Sequence, residues 1–563
     1  MTDPNTEHLD IGKRSASDVM RLERMGAFHQ TRLSFMRALL RQLKTDQWQF
    51  CRTKWQLDSK GIGVAVYQAQ GPDHSYSLIC YANDLDPDKR SDRVIAEEWD
   101  ATFTLFDGAP TEADIERLSH HVPKQEAGQC SQSELVLSRA NRSVRLFDHV
   151  VERLSSGQQP DIEMLDSVGY LMRTTAVYGN GKFGLCDREC IANRPEFTSA
   201  FRTELLGVWL IRWFCVDIVE HLARVISPDS AVDLDRHLKR RLGVGNSTGL
   251  GMAPFLVTHP ALLHTWIDAR ETALMRVRNI DYATQAEIDC FMQVFERMQG
   301  GLSYWRTDNP RQAERLAGLE RDMQTLSLWL DDNSLRGCRP WDRVVNWAMA
   351  SLDQECQELI VAMIIEPYGE LVDDLADTMA IDEAPFQRID GGMTIGKVRQ
   401  IIEYRYSWAL DIDYQQSDAS ARFWYVSEEK LEPRLGERYE EPGAKKEQPL
   451  AFGRDVKNLY QALAPEPHNR TIASFLMAFP EHRGAARRVQ IVDRLPYAEI
   501  QDNLISSDMF PVDLLRCKLS FFGASRFDPR SDRWVRITMY QNAPYPNDFA
   551  ESDADDWAYP LPG

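Results

Sequence analysis

Residues 205–219 read LLGVWLIRWFCVDIV, an apolar run broken by Arg212 and Asp217. It is shorter than the ~20 residues needed to span a bilayer and it carries charge, so a buried helix is expected rather than a membrane span. The surrounding periodicity extends that helix over 198–225, apolar on most of its circumference. The segment 341–364 has the same character. Helices of this kind belong at the centre of a bundle.

Working outward, helical spacing of apolar residues recurs over 131–155, 162–177, 230–242, 253–278, 284–299, 308–330 and 368–380. The breaks carry Gly and Pro: Gly157 to Pro160, Pro228, Gly243 to Gly251, Gly300-Gly301 and Gly337 to Pro340. Upstream, a helix over 16–43 precedes β-rich segments at 47–55, 61–69, 75–81 and 97–106. Downstream of 386, helices near 394–410, 453–463 and 469–478 mix with strand-like segments at 422–426, 515–522 and 534–540, and the last twenty residues read as a polar surface tail. The fold class expected is α+β, mainly α. It divides into an N-terminal helix (1–45), a small antiparallel sheet (46–110), a large central helical body or bundle (111–385) and a mixed C-terminal α+β region (386–563).

Composition narrows the function classes. The chain of 563 residues is 43% hydrophobic, ample for a large core. Its net charge of -20 repels phosphate backbones at long range, which disfavours general nucleic-acid binding. The first residues lack the apolar core of a signal peptide. Ten scattered cysteines fit free thiols in a cytoplasmic protein better than a disulfide framework. Apolar helix faces are compatible with a homodimer.

Two glycine-rich segments are the leading site candidates. Tyr178-Gly179-Asn180-Gly181-Lys182-Phe183-Gly184 has the GxGxxG spacing of a dinucleotide loop, but that motif needs a strand before it, and 162–177 reads as helix. Its residue types suit backbone amides and Lys182 approaching an anion, or simply a helix C-cap. The second segment runs from Gly243 through Gly245, Asn246, Ser247, Thr248 and Gly249 to Gly251, with Pro254 suited to the first turn of a following helix. Free N–H groups at a helix start make an anion site. Within it Gly245 to Gly249 spells GxSxG, without the strand-to-helix elbow a serine hydrolase requires.

Other motifs have cheaper readings. Gly391 to Lys397 spells GxxxxGK, yet Val398 stands where a P-loop has Ser or Thr, and Thr394 as helix N-cap suffices. Asp373-Asp374-Leu375-Ala376-Asp377 resembles the metal-binding DDxxD motif of terpene and prenyl synthases over five residues only, and a solvated acidic face explains it as well. Arg139, Arg142 and Arg145 recur every third residue and read as one helix face. Cys186 and Cys190 lack partners at zinc spacing, and no metal site is expected.

The expectation is therefore a cytoplasmic enzyme acting on a small anionic, carboxylate- or phosphate-bearing metabolite. Tyr178 and Lys182 would be catalytic, and Asn180, Gly181, Gly245, Asn246, Ser247, Thr248 and Gly249 would bind the substrate where the two loops converge. The sequence names no cofactor. The rival readings are a non-catalytic helical scaffold or regulatory ligand-binder, and a nucleotide- or NAD(P)-dependent enzyme with a parallel sheet behind one loop.

Overall fold

The computed structural model describes residues 10–21, 24, 29–85, 99–121, 131–179, 191, 193–246, 259–302, 305, 310–379, 390–415, 424–427, 433–435, 447–450, 452–499, 516–524, 526–529 and 535–559. Strands β1 (Gln49–Leu57), β2 (Gly63–Gln70) and β3 (Ser75–Ala82) each carry β-branched and aromatic residues, which suit a pleated sheet. Asp58 sets the first reversal: its Oδ1 accepts the N–H groups of Lys60 and Ile62 at 2.8 and 2.9 Å, and Gly61 takes φ 74°.

The meander does not stop there. Strands β4 (Ala101–Asp107), β5 (Glu134–Arg142) and β6 (Tyr170–Gly179) each pair antiparallel with the strand before. Then β7 (Gly243–Asn246) joins β6 in parallel, and β12 (Val535–Met539) and β11 (Arg526–Pro529) complete one nine-stranded sheet in the order β1-β2-β3-β4-β5-β6-β7-β12-β11. Strands β8 (Trp424–Ser427), β9 (Pro433–Leu435) and β10 (Glu447–Leu450) make a separate three-stranded sheet.

This overturns the expected fold class. In place of a small N-terminal sheet and a central helical bundle, one mixed sheet draws strands from both ends and the middle of the chain. The segments misread as helix, 131–155 and 162–177, contain β5 and most of β6. Their pattern explains the error. Leu135, Val136 and Ala140 of β5, and Tyr170, Leu171 and Met172 of β6, are all buried, consecutive positions among them, so the inside–outside alternation of period two is lost.

Seven of the helices frame the apolar cores and the cavities: α1 (Phe35–Thr45), α2 (Arg202–Ile226), α3 (Pro260–Arg278), α4 (Gln354–Ile365), α5 (Ile395–Arg405), α6 (Phe452–Leu463) and α7 (Arg483–Arg494). The apolar run at 205–219 is the heart of α2, of which 19 of 25 residues are buried. It carries the crossover from β6 to β7 and packs on β3 to β7, so it lies against a sheet rather than inside a bundle. Segment 341–364 is two helices, Pro340–Ser351 and α4, parted at Leu352-Asp353.

Arg212 sits mid-helix in that apolar surface and is fully buried. Its guanidinium donates to the carbonyls of Leu242 (2.6 Å), Ala543 (2.7 Å) and Pro544 (3.2 Å), and lies over the Tyr545 ring. One arginine thereby ties α2 to the end of the chain, satisfying carbonyls that water cannot reach. The tail expected at the surface instead buries Tyr545, Trp557 and Tyr559.

Two apolar cores result. The main one fills the space between the sheet, α1 to α4 and the tail. A smaller one joins α5, α6, α7 and the helix Ile472–Ala478, touching the main body through Ala261 of α3. A buried ionic cluster clamps the N-terminal segment to the main core. Arg14 donates to both oxygens of Glu271 (2.8 and 2.7 Å) and to Glu358 (2.8 Å), and Arg24 and Arg270 also reach Glu358. Burial alone would raise the Glu358 carboxyl, yet Arg14 and Arg270 hold it far below the usual carboxylate range. Among the described residues no helix is long and apolar enough to cross a membrane.

Candidate functional site: a cavity at three helix ends

The two glycine-rich segments leave from neighbouring strands. β6 and β7 run parallel, with Tyr170 opposite Gly243, Arg173 opposite Gly245 and Thr174 opposite Asn246. A strand therefore does precede Gly179, contrary to the sequence reading. It belongs to the only parallel pair among the described strands, not to a doubly wound parallel sheet of the dinucleotide-binding kind.

Of the residues singled out from sequence, Tyr178 lies in β6 opposite Leu137. Asn180, Gly181, Lys182, Ser247, Thr248 and Gly249 lie outside the described residues, as do Cys186 and Cys190. Gly245 and Asn246 lie in β7, a strand interior to the sheet. A Cβ on Gly245 would stand 2.7 Å from the Tyr170 ring, and one on Gly243 would strike the Met539 carbonyl. Sheet packing alone thus requires both glycines. Asn246 is buried, and its amide donates to Thr174 Oγ1 at 2.8 Å.

The lesser motifs resolve locally. Thr394 Oγ1 accepts the Lys397 N–H at 3.3 Å and caps α5. Asp373 and Asp377 each face an arginine, Arg32 at 2.6 Å and Arg202 at 3.4 Å. Arg139 and Arg142 are on β5, not on a helix, and stack over Trp99 and Phe147. Among the described residues no group of three or more His, Cys, Asp or Glu could hold a metal ion.

What the fold does assemble is a cavity of about 550 Å³ where the second core meets α3. Three helices begin at it. His259 and Pro260 open α3, Phe452 and Asp455 lie in the first turn of α6, and His482, Gly484 and Ala485 start α7. Neither His259 nor His482 caps its helix through its side chain. Each helix start carries a partial positive charge of about half an electron.

The side chains add to that field. Arg488 is spent on Glu499 at 2.8 Å, but the side chain of Arg487, half-buried on the same wall, makes no hydrogen bond or ion pair among the described residues. Burial, reinforced by the Arg488 charge, pushes His259 down to about 4, so its imidazole is neutral at physiological pH. Burial raises the Asp455 carboxyl against the pull of Arg454 and His482. The His482 ring is fixed by stacking on Phe475, centroids 5.9 Å apart.

The cavity is reached along the chain from the second glycine segment: residues 247–258 join β7 to His259. Sequence reasoning named that segment and missed the pocket residues. His259 and His482 belong to no motif, and Asp455 and Arg487 sit in ordinary amphipathic helices. The signal available was three helix starts, and nothing in a linear sequence says they meet. Compared with family models, with curated proteins and with solved structures, the chain matches none.

Proposed function

We propose that the protein binds a small phosphate- or carboxylate-bearing metabolite in the three-helix cavity and acts on it by acid–base chemistry. The observation that carries this reading is the convergence of three helix starts with Arg487 on one cavity. The three ends are worth about +1.5 charges together, and with Arg487 they outweigh the carboxylates of Asp455 and Glu481. The anion would sit against the first turns of α3, α6 and α7 with Arg487 as counter-charge.

Neutral His259 and Asp455, whose carboxyl burial raises, place two groups with shifted proton affinities in one pocket, the arrangement active sites use. Ser247, Thr248 and Gly249 belong to the same reading, as chain leading into the cavity wall. A cytoplasmic setting goes with it, supported by six free cysteines among the described residues.

The test is a thermal-shift screen of anionic metabolites, with inorganic phosphate and pyrophosphate included. A ligand at ~100 Kd adds about 2.7 kcal/mol of stability. The shift is expected to fall away in Arg487→Ala. A screen without any anion-dependent shift, or a shift untouched by Arg487→Ala, removes the proposal.

A further inference from the structure

Two arginines, adjacent on α7, line the three-helix cavity, and the fold treats them in opposite ways. Arg487 makes no hydrogen bond or ion pair among the described residues. Arg488, whose side chain is 5% exposed, has Nε and Nη2 both 2.8 Å from Oε2 of Glu499. The Tyr406 hydroxyl donates to the same oxygen at 3.0 Å. The Arg488 guanidinium also lies over the ring of Phe452, another wall residue, 4.5 Å from its centroid. Glu499 is buried and is not among the residues that line the cavity. It therefore acts on the cavity through Arg488.

That action is on charge. Three helix starts supply about +1.5 charges and Arg487 one more, against one carboxylate each on Asp455 and Glu481. About half a positive charge is left, the histidines set aside. Arg488 would raise it by a full unit if Glu499 did not cancel it. Burial alone would lower the Arg488 guanidinium, yet Glu499 and Tyr406 hold it above the ordinary arginine range, so the wall keeps a true ion pair. Each charge on a ligand has to be stripped of water on entry, and only the field of the walls offsets that cost. Half a charge suits a group with one negative charge, and a charge and a half would suit two.

We propose that Glu499 is the specificity-determining residue of this site: by neutralising Arg488 it fits the cavity to a singly charged group, a carboxylate or a phosphodiester, in preference to a doubly charged one. The proposal rests on the anion-site reading above. The geometry at Glu499 makes it open to a clean substitution. All three donors meet Oε2, while Oε1 has no hydrogen-bond partner. Glutamine can offer its one carbonyl oxygen to the same donors and set its amide where no bond is lost. Glu499→Gln thus removes the charge and keeps the contacts.

Calorimetric titration of the full chain with methanesulfonate and sulfate, at low ionic strength, tests it. The two anions are tetrahedral and similar in size, and carry one and two charges. Wild type is expected to bind methanesulfonate at least as tightly as sulfate. Glu499→Gln is expected to raise the sulfate-to-methanesulfonate affinity ratio at least about fivefold, the order of one unit charge acting across a water-lined cavity. Acetate and dimethyl phosphate beside them separate carboxylate from phosphodiester, and at least one should bind wild type more tightly than sulfate does. A purely structural role for Glu499 would weaken both tetrahedral anions alike, and an unmoved ratio overturns the proposal. So does a wild type that prefers sulfate, a comparison that holds even if the variant does not fold. Arg487→Gln separates the two levels. If no anion binds, or binding is indifferent to Arg487→Gln, the anion site fails and the proposal with it; if binding depends on Arg487 but the ratio stays put in Glu499→Gln, only the role of Glu499 fails.

Discussion

Replacing Arg14 with Leu removes the cation that two buried carboxylates share. Glu271 is 0% exposed and Glu358 3% exposed, and Arg14 makes the shortest ion pairs to both. Without it, among the described residues, Glu271 keeps only Arg270, at 3.5 Å, while Glu358 keeps Arg24 at 2.9 Å and Arg270 at 3.3 Å. Glu271 is thus left nearly unpaired in a medium where breaking a buried ion pair costs about 3–5 kcal/mol. Some of that is recovered if the carboxyl takes up a proton, so about 3 kcal/mol is expected at neutral pH. The assay is urea unfolding of wild type, Arg14→Leu and Arg14→Leu/Glu271→Leu. The single variant should lose most, the double variant should recover part of the loss, and the single variant's deficit should shrink toward pH 4.5 as the orphaned carboxylates protonate. A single variant within about 1 kcal/mol of wild type would refute the reasoning, because that is what an exposed pair contributes.

Further outcomes rest on the same physics. The His259 imidazole falls from its ordinary 6.5 to about 4 on folding, so the folded state binds fewer protons and stability is lost as pH drops from 6.5 toward 4. A difference of about 2–3 kcal/mol between pH 7 and pH 4.5 should disappear in His259→Gln, measured by urea unfolding at both values. Arg212→Met strands the carbonyls of Leu242, Ala543 and Pro544 and should cost about 3 kcal/mol, with amide exchange speeding first around β7 and residues 540–545. Gly245→Ala drives a methyl into the Tyr170 ring and should destabilise by about 1–3 kcal/mol. By contrast, Gly484→Ala meets nothing within 4 Å and should be neutral or stabilise by up to about 1 kcal/mol in thermal unfolding.

Local signals in the sequence placed single elements well and their assembly badly. The run at 205–219 is a buried helix as read, and the first three strands follow their residue types. The sheet beyond them stayed hidden because consecutive residues of β5 and of Tyr170–Thr174 in β6 are buried, which removes the alternation a strand is recognised by. The same cause misplaced Gly243 and Gly245, read as loop glycines around a ligand. They are glycines because Met539 and the Tyr170 ring press on β7. The tail misled by composition: its acidic residues form ion pairs, as Asp555 and Asp556 do with Arg37, Arg41 and Arg240, while Trp557 and Tyr559 fill the core. The three-helix cavity joins segments far apart in the chain, such as His259 with His482. No spacing rule reaches across such distances.

The most direct test of the central claim is calorimetric titration of inorganic phosphate and pyrophosphate into wild type, Arg487→Gln and Asp455→Asn at pH 6 and pH 8. At each pH, binding to Arg487→Gln should be about tenfold weaker than to wild type, a step near 1.4 kcal/mol, and binding to Asp455→Asn should be tighter. Equal affinities in all three proteins, or no binding in any, would contradict an anion site at the three helix ends.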